Sequence, residues 1–140
     1  MTILDDVRQA SDTFYSALSQ LLNGNATPMA GAWADDEEAT AQHPIGGRDV
    51  GTPAVLESFG RVGAIAEGGN VGIEDQKVHV GSDMAIETGV EKGTVTMAGH
   101  TAAIDQRVTN VYRKEGDQWK LLHHHTDVSP GMQDILAKSG

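Results

Sequence analysis

A dense cluster of titratable side chains lies near the carboxyl end of the chain. His123, His124 and His125 are consecutive, and Asp127 follows two positions after them. Histidine titrates close to neutral pH, so it can accept or donate a proton there, and a neighbouring carboxylate can orient its ring. His125 is therefore predicted to be the catalytic proton shuttle, and Asp127 is predicted to orient it.

The strand on which this cluster lies limits which of its members can act together. Side chains alternate between the two faces of a strand. One face is therefore expected to carry Trp119, Leu121, His123, His125 and Asp127. His124 is expected on the other face, so the three histidines cannot converge on one point. The alternative is that these histidines are sheet or dimer-face residues whose hydrogen bonds are satisfied by their neighbours.

A third candidate for catalysis is an arginine on the preceding long strand, which is predicted over His100 to Arg113. Arg107 and Thr109 share a face of that strand. A buried arginine needs a carboxylate partner or an anionic ligand. Arg107 is thus predicted either to hold a substrate carbonyl or carboxylate or to form a structural ion pair. Its candidate partners are Glu87, Asp105 and Asp127.

Other residues could line a pocket rather than carry out the chemistry. His43 stands beside Pro44, on a pocket wall or in an exposed turn, and Glu87 faces either the pocket or water. Aromatic side chains would enclose the ligand. The predicted ligand contacts are Phe14, Trp33, His43, Phe59, Glu87, Thr109 and His123.

The sequence favours neither a metal nor a cofactor. A histidine metal site needs several convergent ligands, and His43, His100, His123 and His125 could supply them only from separate aligned strands. No HExxH spacing, GxGxxG motif or GxxxxGK[ST] loop is present. We therefore predict no metal and no nucleotide cofactor.

Composition restricts the class of protein. The 140 residues are 39% hydrophobic and carry a formal charge of −10, which is typical of one soluble domain, here residues 1–140. Such acidity opposes binding to nucleic acids and to anionic membranes. There is no long apolar run and no signal-peptide pattern, and the absence of cysteine fits a reducing compartment, so a cytoplasmic location is expected.

The elements that must position these residues are helices first and strands afterwards. Apolar spacing predicts a helix from Leu4 to Leu21, and Thr2 can cap it together with Asp5. A short helix is predicted from Thr27-Pro28 towards Trp33. A longer one is predicted to begin at Thr52-Pro53 and to stop at Gly68-Gly69. A short strand is predicted over Glu38 to His43.

The second half of the chain alternates with a period of two. Turns are predicted at Gly81-Ser82, at Lys92-Gly93 and at Glu115 to Asp117, which gives an antiparallel meander ending in the strand from Trp119 to Asp127. A terminal helix is predicted over Pro130 to Lys138. This order of elements predicts an α+β fold in which helices wrap one curved antiparallel sheet.

Several short motifs in this order resemble one known superfamily. The motifs are the first amphipathic helix, Ala-Trp-Ala-Asp-Asp at 32–36, His43-Pro44 with Gly46-Gly47, Arg107-Val108-Thr109, and Trp119-Lys-Leu-Leu-His-His-His125. The chain is similar to the nuclear transport factor 2-like superfamily, close to its SnoaL-like and ketosteroid isomerase-like branches. That resemblance implies a cone-shaped half barrel, a pocket for a small organic molecule inside the cone, and a homodimer formed through the outer face of the sheet.

The superfamily contains both enzymes and non-catalytic proteins, so the resemblance leaves two functions open. One is a cofactor-independent isomerase, cyclase or dehydratase that uses His125, Asp127 and Arg107. The other is a non-catalytic ligand-binding or dimeric association domain. Steroid isomerisation is disfavoured, because Tyr15 belongs to the first helix and Tyr112 is on the opposite face from Arg107.

Overall fold

The amino-terminal helix, α1, spans Ile3–Leu22 in the computed structural model, which describes residues 2–139. Its start is a capping box: the Thr2 hydroxyl accepts a hydrogen bond from the Asp5 backbone N–H at 3.1 Å, and the Thr2 backbone N–H donates to the Asp5 carboxylate at 3.2 Å. The predicted helix and its cap are therefore confirmed. Its buried stripe includes Phe14 and Tyr15.

Six strands form one curved, unclosed sheet with the helices packed on its inner face. The strands are β1 (Thr40–Gln42), β2 (Arg48–Val50), β3 (Ala66–Val80), β4 (Met84–Met97), β5 (His100–Glu115) and β6 (Gln118–Thr126). The remaining helices are a 3-10 helix (Thr27–Ala32), α2 (Thr52–Ile65) and α3 (Pro130–Ser139). The strands lie in the order β2-β1-β6-β5-β4-β3; β1 and β6 are parallel, and the other neighbouring strands are antiparallel. The predicted α+β class is confirmed.

One predicted turn and one predicted helix end are wrong. β4 continues through Lys92-Gly93, and a Cβ on Gly93 would collide with the backbone oxygen of Asn70 on β3. Glycine is needed there for the close approach of two strands. Likewise Gly68-Gly69 lies within β3, because α2 already ends at Ile65.

One extra residue in β6 reverses the predicted faces of that strand. Tyr112 of β5 pairs with Leu121, but the preceding residue of β5, Val111, pairs with His123. Leu122 therefore has no partner of its own. Such a bulge shifts every later side chain to the opposite face. The prediction that Trp119 and Leu121 share a face with His123 and His125 is therefore wrong.

The inner face of the sheet and the apolar sides of the helices form the core. Tyr112, Leu121 and Val95 from the sheet are fully buried, as are Phe14 and Val55 from the helices. None of the helices within residues 2–139 is both long enough and apolar enough to cross a membrane.

A candidate acid-base site inside the curved sheet

Two glutamates of β4 point into the molecule. Glu87 is 0% exposed and Glu91 is 2% exposed, and their spacing of four places both on the inner face. Burying a carboxylate is costly unless hydrogen bonds replace the lost water. The partners of each glutamate therefore show what each can do.

Glu87 has all the hydrogen bonds that a structural carboxylate needs. Its Oε1 accepts from Asn110 Nδ2 at 2.9 Å and from the Tyr112 hydroxyl at 2.8 Å. Its Oε2 accepts from Gln76 Nε2 at 2.6 Å. Both oxygens accept hydrogen bonds from residues of β3 and β5, so Glu87 links β3, β4 and β5.

Glu91 accepts fewer hydrogen bonds than Glu87, and its pKa is raised. Its Oε2 accepts from the Tyr15 hydroxyl and its Oε1 from Gln106 Nε2, both at 2.9 Å. Burial raises the pKa of Glu91 to about 7, and the nearby charge of Glu87 adds to that effect, although the two hydrogen bonds oppose it. Glu91 is therefore divided between the acid and the carboxylate near neutral pH.

When Glu91 is ionised, the donors and acceptors around it have only one consistent arrangement. Asn110 Nδ2 donates to Glu87 and to the Tyr15 oxygen, at 3.0 Å for the latter, so the Tyr15 hydroxyl must donate to Glu91. Burial and the charge of Glu91 raise the pKa of Tyr15, which keeps that hydroxyl protonated. Asn110 Oδ1 is left as an acceptor, and His124 Nδ1 lies 2.6 Å from it.

His124 is consequently a neutral imidazole with a defined tautomer. Because Nδ1 donates to Asn110, Nε2 carries the lone pair, and it lies 3.9 Å from Glu91 Oε2. Burial lowers the pKa of His124 to about 3, and positive charge on His43 contributes to that shift. His124 thus stays uncharged beside Glu91 throughout the physiological range.

A small, largely apolar cavity of about 60 Å³ adjoins these groups. Its polar lining consists of His43, Glu91, Gln106 and His124. The apolar lining comprises Leu18, Leu22, Pro44, Ile45, Phe59, Val62, Val71, Ile104 and Met132. A titratable carboxyl group in such an apolar lining can exchange protons with a ligand that fills the cavity.

A histidine–aspartate pair stands at the edge of this cavity. His43 Nε2 lies 2.8 Å from Asp49 Oδ2, and the ring packs edge-on against Phe59 with centroids 5.0 Å apart. His43, Ile45 and Val62 also border an outer groove of about 570 Å³. These three residues therefore lie between the cavity and the groove.

The predicted catalytic residues lie on the outer face of the sheet instead. Arg107 is 82% exposed in its side chain and Asp127 40%, and His125 is exposed. The Arg107 guanidinium donates to both carboxylate oxygens of Asp127, at 2.8 and 3.0 Å. Within residues 2–139 no hydrogen bond joins Asp127 to His125. These residues, with Thr109, border an open depression of about 480 Å³ and not the internal cavity.

The predicted ligand contacts are divided between the cavity, the core and the outer face. His43 and Phe59 line the cavity. Glu87, Phe14 and Trp33 are buried outside its lining, and Phe14 packs against the ring of His124 with centroids 5.1 Å apart. His123 lies on the outer face with Thr109, and its Nδ1 is 2.6 Å from the Thr40 hydroxyl.

Sequence reasoning missed Glu91, Gln106, His124, Asn110 and Tyr15 as members of the inner network. A signal for the strand residues was available. Gln106, Asn110 and Tyr112 alternate with Arg107 and Thr109, so an outward-facing Arg107 requires inward-facing amides. No group of three or more potential metal ligands comes together in the described part of the chain.

The comparison with known families agrees with this architecture. Residues 7–129 match the model of a SnoaL-like domain. The chain therefore belongs to the SnoaL-like domain family. The predicted resemblance to the SnoaL-like branch of the nuclear transport factor 2-like superfamily is confirmed. A search of curated proteins found no significant match to this SnoaL-like chain.

Solved structures share the fold of this SnoaL-like protein over most of its length. A candidate dehydratase of the nuclear transport factor 2-like family from Streptomyces avermitilis has 24% identity and a TM-score of 0.78, over 90% of this chain and 96% of that one. A candidate calcium/calmodulin-dependent protein kinase type II association domain from Thiobacillus denitrificans has 26% identity and a TM-score of 0.72, over 87% and 94%. A nuclear transport factor 2-like protein from Salmonella enterica has 16% identity and a TM-score of 0.78, over 91% and 92%.

Proposed function

We propose that this SnoaL-like protein binds a small organic molecule in its internal cavity and moves a proton on it without a cofactor. The class of reaction is an isomerisation, cyclisation or dehydration. The observation that carries the proposal is the Glu91 carboxyl group, which lines the cavity and has its pKa raised to about 7 by burial. A general acid or base is most effective when its pKa is close to the working pH.

In this proposal Glu91 is the catalytic residue and its neighbours set its properties. The carboxylate form accepts a proton from a ligand carbon next to a carbonyl group, and the acid form returns a proton to another atom of the ligand. Tyr15 and Gln106 fix the carboxyl group by hydrogen bonds. His124 stays neutral beside it and therefore does not lower the basicity of Glu91.

This assignment replaces the predicted pair of His125 and Asp127 with an inner-face group. The resemblance to the SnoaL-like branch supports it, since that resemblance implies a pocket inside the curved sheet, and a structural relative is named as a candidate dehydratase. The cytoplasmic location expected from the sequence remains part of the proposal.

The test is proton exchange on a model substrate. 3-Hydroxycyclohexanone in deuterated buffer reports proton removal as deuterium incorporation beside the carbonyl group, and the appearance of cyclohexenone reports dehydration in the same NMR spectrum. We expect the wild type to accelerate exchange and Glu91→Gln to lose about 100-fold of that acceleration. Glu87→Gln is the matched control, because it neutralises the other buried carboxylate, outside the cavity lining.

Asp127→Asn separates the two assignments. If Glu91 acts, this outer-face variant retains the wild-type exchange rate. Loss of exchange in Asp127→Asn with retention in Glu91→Gln would instead favour the outer-face residues. Absence of acceleration by the wild type would refute proton transfer on this class of ketone.

We also propose that two copies associate through the outer face of the sheet, as the resemblance implies. Met84 is 43% and Ile86 45% exposed, and Ile86 pairs with Val111 on that face. A structural relative is named as a candidate association domain. Sedimentation analysis should find a dimer for the wild type and a monomer for Ile86→Lys. Ile3→Lys is the control, since Ile3 is an exposed isoleucine on α1, and a monomeric wild type would contradict the proposal.

A further inference from the structure

Gln106 carries a buried oxygen that nothing in residues 2–139 satisfies. The residue is 5% exposed and lines the cavity, and its Nε2 is committed to Glu91 Oε1 at 2.9 Å. Its Oε1 has no hydrogen-bond donor within the described chain. Buried amide oxygens are nearly always paired, so an unpaired one at a cavity indicates a missing donor.

The orientation of the Gln106 amide is fixed by its neighbour. An ionised Glu91 has only acceptors to offer, so the NH2 group of Gln106 must face Glu91 and the oxygen must face away. His124 adds a second acceptor to the cavity wall, because its Nδ1 donates to Asn110 and its Nε2 carries the lone pair. The uncommitted polar atoms of these two residues are therefore both acceptors.

The cavity lining also offers no unpaired positive charge. Neither lysine nor arginine is among the lining residues, His124 is neutral, and His43 is already paired with Asp49 at 2.8 Å. A carboxylate or phosphate group would be buried beside Glu91 without a cation to balance it, at a high cost in free energy. An uncharged hydrogen-bond donor matches both the acceptors and the electrostatics.

We propose that Gln106 is a specificity-determining residue that accepts a hydrogen bond from a hydroxyl group of the ligand, so that the site selects small uncharged alcohols, enols or phenols. This inference rests on the proposed function of the cavity. It adds the substrate class, because Gln106 would place the hydroxyl group next to the Glu91 carboxyl group that it holds with its other amide atom.

The size of the cavity limits the ligand further. About 60 Å³ is well below the roughly 150 Å³ of an engineered cavity that holds benzene. A single ring therefore requires the cavity to expand. Met132 of α3 lines it, and methionine has a flexible unbranched side chain that can move aside. The ligand is expected to contain no more than one small ring at the Gln106 end.

The experiment compares two probes of nearly the same shape. Phenol has a hydroxyl donor where fluorobenzene has only a fluorine atom. Ligand-observed NMR titrations at a pH of about 8.5, where Glu91 is ionised, give both affinities. The wild type should prefer phenol by about tenfold, and Gln106→Met should abolish that preference while it retains fluorobenzene binding. Gln76→Met is the matched control, since Gln76 donates to Glu87 outside the cavity lining and its loss should leave the preference intact.

The outcomes distinguish this inference from the proposed function. Equal affinity of the wild type for the two probes, or an unchanged preference in Gln106→Met, overturns the role of Gln106 and leaves the pocket in place. Binding of neither probe overturns both. If Gln106→Met does not fold, a crystal structure of the wild type with phenol decides: the phenol oxygen within hydrogen-bond distance of Gln106 Oε1 supports the inference, and any other position contradicts it.

Discussion

The two faces of the same sheet differ in how they treat charge. On the inner face, Glu87 and Glu91 are almost fully buried, and each accepts hydrogen bonds from neutral donors. On the outer face, Arg107 and Asp127 pair directly, with the arginine side chain largely exposed to water and the aspartate partly exposed. Water screens the outer pair, whereas burial makes the inner groups sensitive to every partner. The inner residues, which stand out less in the sequence, therefore occupy the more reactive environment.

The largest loss of stability is expected from a substitution of Asn110, whose side-chain amide links the residues of the inner network. Asn110→Leu would leave the Tyr15, Glu87 and His124 groups each without one hydrogen bond. We expect the free energy of unfolding to fall by about 3 kcal/mol or more, because buried polar groups would be unsatisfied.

Urea unfolding measures this difference, and Thr109→Val is the control on the adjacent outward-facing residue. A loss in Thr109→Val as large as that in Asn110→Leu would show that the two faces do not differ in the way described here.

Acid is expected to destabilise the protein through His124. Its folded pKa, about 3, lies below its ordinary value of 6.5, so the unfolded chain binds more protons between these values. Stability should therefore fall as the pH falls through this range, on the order of 1 kcal/mol per pH unit where no other group opposes it. His124→Gln, which cannot be protonated, should fall less steeply in urea unfolding at a series of pH values. Parallel curves for the two proteins would argue against a buried neutral imidazole.

Ionisation of Glu91 is expected to change the stability with pH in the opposite direction. Its folded pKa, about 7, lies above its ordinary value of 4.5, so the folded protein binds more protons between these values. The stability that this group contributes is present below pH 4.5 and is lost as the pH rises through 7. Relative to the wild type, Glu91→Gln should gain stability across that interval, on the order of 1 kcal/mol per pH unit. A constant difference between the two proteins would be inconsistent with the raised pKa.

The smallest effect is expected from the outer ion pair. Arg107→Ala removes a guanidinium group that is 82% exposed, so water replaces most of what is lost. The midpoint of urea unfolding should stay close to that of the wild type, and binding of phenol in the cavity should not change. A marked loss of either property would assign the outer face a larger role than its exposure indicates.

Much of the fold was predictable because it depends on periodicity and local turn chemistry. The spacing of apolar residues predicted α1, and the Thr2–Asp5 cap followed from residue types alone. The candidate site was less predictable, since one unpaired residue at Leu122 determines which histidine faces inwards. Alternation from Trp119 predicts His125 on the inner face, and the bulge places His124 there instead.

The acidity of Glu91 was also beyond the reach of the sequence. Glu87 and Glu91 lie four residues apart on the same face of β4, and both are buried. They differ in their partners and surroundings: Glu87 is closed off by Asn110, Tyr112 and Gln76, while Glu91 adjoins a cavity. Those partners come from distant parts of the chain, so only the packed structure distinguishes the two carboxyl groups.

The most direct test of this account is the titration of Glu91 itself. Carbon-13 NMR of glutamate side-chain carboxyl groups follows each titration, and Glu91→Gln identifies the Glu91 signal by its disappearance. The midpoint is expected at a pKa of about 7. A midpoint at the ordinary value of 4.5 would contradict it, because the carboxyl group at the cavity would then be as well solvated as one on the surface.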